Sequence, residues 1–167
     1  MTDNQVLRLP DAIGDERLRR LYAYWDGLRR GRRYPTRREV DPLQLPFILG
    51  NLLLIEVMPG RAGFRVRLHG TALAERIGME LTGRLLDDHP DEAFRRLAAR
   101  TFAHVSRVGD PFGATGDRVA GADRHPYETL ILPLSDDGKT VDTLLVGLVY
   151  TTGPIPITAR ERLFPDS

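Results

Sequence analysis

Phe64–Arg65–Val66–Arg67–Leu68–His69 alternates apolar and charged side chains, runs through Gly70–Thr71 into Ala72–Gly78, and reaches a second glycine turn at Leu81–Thr82–Gly83–Arg84. The period-two alternation predicts a strand with Phe64, Val66 and Leu68 on one face and Arg65, Arg67 and His69 on the other. Thr71 is placed to cap a short helix that Gly78 ends, because glycine accepts the left-handed backbone of a helix terminus. Just upstream, Leu52–Val57 is apolar enough for an interior strand, and Pro59–Gly60 to Gly63 turn the chain back. The two strands therefore form an antiparallel hairpin.

Downstream, residues from about Pro90 to Ser106 place Phe94, Leu97, Ala98, Thr101 and Val105 on one helical stripe, which Gly109–Pro111 closes. Three more strands are predicted at Phe112–Val119, Tyr127–Leu134 and Val141–Tyr150, the last two joined by Ser135–Asp136–Asp137–Gly138. In the final strand Leu144, Val146 and Leu148 on one parity and Leu145 and Val149 on the other are all apolar. Such a strand needs cover on both faces and belongs mid-sheet. Helices between the second and third strands cover one face. The other falls to an amphipathic helix starting at Asp15, whose stripe Leu18, Leu21, Tyr22, Trp25 and Leu28 ends at Gly31 and docks in cis or across a dimer. A bare apolar face of that size would aggregate.

The chain is thus divided into a flexible lead-in (1–14), the amphipathic helix with packed turns (15–50), a sheet-and-helix core (51–152) and a tail (153–167). Within 34–50, Thr36 and Glu39 stand at capping-box spacing and Asp41–Pro42 reads as an N-cap before a first-turn proline. A length of 167 residues suits one α+β domain with one core. The absence of cysteine excludes disulfides, thiolate metal sites and cysteine nucleophiles, and suits a reducing cytoplasm. No segment approaches the roughly 20 apolar residues of a membrane span. The formal net charge of +1 provides no global field for nucleic acid. Arg29, Arg30, Arg32, Arg33, Arg37 and Arg38 form a basic cluster, but without the aromatic interleaving of a strand-binding groove, so nucleic acid is not an expected partner.

Several motifs, in this order, resemble the PAS domain: Leu21–Tyr22–Ala23–Tyr24–Trp25, Val40–Asp41–Pro42–Leu43 after Pro35, Leu45–Pro46, Leu53–Leu54, Phe64–Leu68, Gly70–Thr71, Leu81–Thr82–Gly83 and Tyr127–Leu134. The chain is similar in particular to small bacterial proteins made of one PAS domain behind an N-terminal helix, long catalogued as a domain of unknown function. The resemblance implies a five-stranded antiparallel sheet in the order 2-1-5-4-3 and a sensory or regulatory role without catalysis. It also implies a homodimer through the N-terminal helix, a protein partner in signalling, and a small ligand (haem, flavin, carboxylate or lipid) or none between sheet and helices. Neither cofactor nor ligand is specified.

If such a ligand is held, the residues expected to face it are Val66, Leu68, Leu97, Arg100, His104 and Tyr127, with Arg100 and Tyr127 suited to an anion and His104 on the flank of the long helix's stripe. Asp87, Asp88, His89 and Asp91 could surround a metal, but are better read with no metal, Asp88 or His89 capping the helix that follows and Asp91 and Glu92 favouring its positive end. Glu128 is read as a surface or turn-bonding residue. No phosphate loop, GxSxG or HExxH occurs. The competing function is a small enzyme or ligand carrier with a polar cavity in a similar curved sheet.

Overall fold

The computed structural model describes residues 5–120 and 122–151. The expected tail, 153–167, and the first four residues of the lead-in lie outside them. Six antiparallel strands form one sheet: β1 (Gln5–Val6), β2 (Leu52–Val57), β3 (Phe64–His69), β4 (Phe112–Ala120), β5 (Asp123–Leu134) and β6 (Thr143–Tyr150). Their spatial order is β1-β4-β5-β6-β2-β3. Removing β1 leaves the five strands and the order that the resemblance implies. All eight residues of β6 are buried, as the apolar character of both its parities requires for a strand between β5 and β2.

Helix α1 (Glu16–Arg29) begins where the Asp15 carboxylate accepts the Arg17 and Leu18 amides. It lies on the outer face of its own sheet, with Leu18, Leu21 and Trp25 packed among Leu52, Leu130, Leu132, Leu145 and Val149. Trp25 is 1 % exposed, and its indole N–H donates to the Pro133 carbonyl at 2.9 Å. Tyr22 is half-buried at the edge of this contact, and Leu28 is half-buried. Gly147 in β6 lets the helix come close, since a Cβ there would lie 2.6 Å from Leu18 and 2.9 Å from Leu21. Leu45 and Ile48, from the short turns between α1 and β2, complete the layer.

The inner face carries the second apolar cluster. Here α2 (Thr71–Ile77) and α3 (Glu92–Val108) place Leu73, Ala98, Phe102 and Val105 against Ile55, Val66, Ile131, Val146 and Leu148.

Four details differ from the sequence reading. The lead-in expected to be flexible adds a sixth strand: Val6 pairs with Ala114, the Leu7 amide donates to the Gly113 carbonyl at 2.8 Å, and Ile13 is buried. In β3 the alternation breaks, because the register against β2 shifts between Leu54↔Leu68 and Ile55↔Val66 and leaves Arg67 as an extra residue. A bulge of one residue inverts the faces beyond it. Leu68 consequently packs with the α1 layer, while His69 turns inward and is buried. Glu128 is also buried, not at the surface: its two carboxylate oxygens accept the Gly14 amide at 2.9 Å and the Asp15 amide at 3.0 Å, which ties the start of α1 to β5. Lastly, Thr71 does not cap α2, whose N-cap is Gly70 with no side-chain hydrogen bond.

Candidate functional site

The inner face is not filled along its whole length. Helix α3 starts at Asp91, whose carboxylate accepts the Phe94 amide at 3.2 Å, and stops at Gly109 in the left-handed conformation (φ 81°). Its buried residues Ala98, Phe102 and Val105 hold it to the core. Phe94, Leu97 and Thr101, by contrast, look across an open cleft of about 820 Å³ toward Ile131, Val146 and Leu148. That volume lies within the range of small-molecule sites, which join an apolar wall to a few placed polar groups.

The polar groups gather at one end. Arg118 from β4 donates through Nε and Nη2 to Asp91 Oδ2 at 3.1 and 2.7 Å, and through Nη1 to the Tyr150 hydroxyl of β6 at 2.9 Å. The Arg118 and Asp91 side chains are only 10 % and 17 % exposed. Burial opposes both charges, yet each secures the other: with Tyr150 and Asp91 beside it Arg118 has a raised pKa, and with Arg118 beside it Asp91 has a lowered one. Removing one member of such a pair is costly, because its partner stays charged out of water. The Arg118 guanidinium also lies 5.0 Å from the Phe94 ring, and Arg76 of α2 lies 3.8 Å from the Tyr150 ring. Tyr127 and Tyr150 meet edge to face with centroids 6.1 Å apart, and burial raises the Tyr127 pKa.

Three histidines stand behind this end. His89 stacks on Phe94 at 4.4 Å and accepts the Asp91 amide at Nδ1. Burial, then the neighbouring Arg118 charge, pushes its pKa down to about 3. His69 accepts the Leu81 amide at Nδ1 and is likewise lowered by burial, as is His125 on β5. His69, His89, Arg76 and Arg118 border a void of about 30 Å³, room for roughly one water. The arrangement presents a donor-rich wall at the end of an apolar trough.

A PAS domain family model matches residues 14–149. The chain belongs to the PAS domain family. No curated protein matches the chain.

The match takes in α1, the strands from β2 to β6 up to residue 149, and the helices between them, and leaves out β1. In this PAS domain the residues expected to face a ligand divide. Leu97, Arg100 and Tyr127 line the cleft, and Val66 lines the small void behind it. Leu68 does not, because the bulge turns it to the outer face. Nor does His104: it is exposed at the outer edge of α3, 6.2 Å from the Phe112 ring, since the helix turns Phe102 and Val105 inward and leaves residue 104 outside. Of the docking residues, Leu18, Leu21 and Trp25 sit in α1's contact with its own sheet and Tyr22 packs against it, whereas Leu28 is half-buried outside that cluster. The cap of α3 is Asp91 and neither Asp88 nor His89, as its carboxylate accepts the Phe94 amide while His89 braces the turn by accepting the Asp91 amide.

Sequence reasoning missed Arg118, Asp91 as its partner, Tyr150 and His69. Of these, Tyr150 carried a signal, sharing the parity of Leu144, Val146 and Leu148; Phe102, also left off the helical stripe, carried one too, falling four residues after Ala98 and three before Val105. The Arg118–Asp91 contact spans 27 residues and had none. Among the described residues no helix is long and apolar enough to cross a membrane.

Proposed function

We propose that this PAS domain is a non-catalytic sensory module that receives a small ligand in the cleft beneath α3 and reports its presence to a protein partner. The observation that carries the reading is an open trough of about 820 Å³ with apolar walls and a polar end whose Asp91 and Arg118 already satisfy each other. A binding site needs shape and matched polarity. An enzyme needs a reactive group poised in the open, and here Asp91 is held by Arg118 and the Phe94 amide, while the Nδ1 atoms of His69 and His89 accept backbone amides.

Strand β5 supplies a route for the signal. Tyr127, Thr129 and Ile131 on one of its faces line the cleft, while Glu128, Leu130 and Leu132 on the other hold α1. A ligand that shifts β5 is felt at both ends of that contact. The stripe of α1 is buried on its own sheet, so a homodimer built on that stripe would have to strip it off. In this reading α1 docks in cis, and its outer face, with Glu16, Arg19, Arg20 and Asp26 exposed, meets the partner, a second copy of the chain included. The chain's lack of cysteine supports placing it in the cytoplasm.

Native mass spectrometry of freshly purified protein tests the reading. The expected result is a bound small molecule that Leu97→Trp, which fills the cleft from α3, excludes. A bare wild-type mass, unchanged after incubation with a cell-derived small-molecule extract, would overturn it.

A further inference from the structure

The charges around the cleft sort themselves into pairs with one left over. Three arginines and two aspartates line it: Arg96, Arg100, Arg118, Asp91 and Asp117. Arg118 is taken by Asp91 at 2.7 Å, Asp117 by Arg124 at 3.1 Å, and Arg96 by Glu92 at 2.8 Å. Arg100 makes no hydrogen bond or ion pair among the described residues and is exposed at the mouth, one helical turn beyond Arg96. Among the described residues both carboxylates of the lining are thus neutralised, and the one charge left without a partner is a cation at the rim. Inward of Arg100 the walls are Leu97, Phe102, Ile131, Val146 and Leu148.

Resting on the reading of this cleft as a ligand site, we propose that its ligand is an amphipathic monoanion, bound with its apolar body inside and its acid group at the mouth on Arg100. The orientation follows from the pairing. An acid group entering first would have to displace Asp91, whose Oδ2 accepts two Arg118 donors in a largely buried contact, and leave that carboxylate uncompensated. At the mouth the same group meets a guanidinium with all its donors available and gives up less of its own hydration. A cationic head finds no unpaired carboxylate among the described residues of the lining. Thr101 and Thr129 do not change this balance, since their hydroxyls donate to the Leu97 and Gly147 carbonyls.

Isothermal titration with sodium decanoate and with decan-1-ol isolates the head group, because the two share one chain. At low salt wild-type protein should bind decanoate about five- to tenfold more tightly than decan-1-ol, in proportion to one partly solvated ion pair. Raising the salt should shrink the difference. Arg100→Gln, a surface change that leaves the core intact, should abolish the preference while decan-1-ol binds as before. Leu97→Trp should weaken both ligands. Equal affinity for the two ligands in wild-type protein, or a preference that survives Arg100→Gln, would overturn the monoanion assignment and leave the cleft as a ligand site. Failure of both ligands to bind, or binding indifferent to Leu97→Trp, would overturn the assignment together with the placement of the site.

Discussion

Replacing Trp25 with alanine removes the largest side chain between α1 and the sheet, and its cost can be worked from the contact it makes. The indole is 1 % exposed and packs against Tyr22 with ring centroids 5.9 Å apart. A tryptophan buries about 200–250 Å², so at about 25 cal/mol per Å² the transfer of its surface is worth about 5–6 kcal/mol. Compact unfolded chains already hide about 10–40 % of such area, which lowers the figure to about 3–5 kcal/mol, the range of large-to-small core changes. The Pro133 carbonyl loses its 2.9 Å donor, but water entering beside a surface helix can replace it. Trp25→Phe keeps most of the apolar contact and should cost only about 1–2 kcal/mol. Urea unfolding followed by circular dichroism measures both, since Trp25 is the only tryptophan and its removal takes the fluorescence signal with it. A Trp25→Ala loss below about 1 kcal/mol would refute docking of α1 on its own sheet.

Two further predictions separate the layers. Gly147→Ala places a methyl 2.6 Å from Leu18 and 2.9 Å from Leu21, and should destabilise by about 1–3 kcal/mol in the same urea assay; a neutral result would mean that α1 does not press on β6. The three buried histidines make stability depend on pH. His69, His89 and His125 have pKa values lowered by burial, His89 from 6.5 to about 3, so below about pH 6.5 the unfolded chain binds more protons than the folded one. Stability should begin to fall as the pH drops through about 6.5, well above the carboxylate range, and His89 should contribute until about 3. A flat urea midpoint between about pH 7 and 5 would contradict this placement of the histidines.

The architecture was legible because it rests on patterns written along single elements. The two apolar parities of β6 require a mid-sheet position with cover on both sides, and the stripe Leu18–Leu21–Trp25 supplies one of the covers. What remained hidden depends on pairs of elements. The bulge at Arg67 belongs to the register of β3 against β2 and leaves no trace in β3's own alternation, so the reading placed Leu68 and His69 on the wrong faces. Gln5–Val6 is too short to show periodicity, and becomes a strand only because the edge of β4 accepts it. Glu128 could have been placed by parity with Leu130, Leu132 and Leu134, but a carboxylate there makes sense only once the Gly14 and Asp15 amides are seen to need an acceptor. The cleft was half legible. Leu97, Arg100 and Tyr127 came from helix and strand phase, whereas the Arg118–Asp91–Tyr150 cluster exists only after β4, α3 and β6 converge.

The chain's lack of cysteine makes the cleft directly measurable. Leu97→Cys puts a single thiol on its wall, and Ala23→Cys puts one on the exposed face of α1 as a control. Alkylation rates are compared for protein as purified and for the same protein stripped of bound molecules by unfolding and refolding. The account predicts that Leu97→Cys reacts more slowly before stripping and is protected again when cell-derived small molecules are returned, while Ala23→Cys reacts at one rate throughout. Equal rates for Leu97→Cys in all three conditions would contradict the claim that the space beneath α3 receives a ligand.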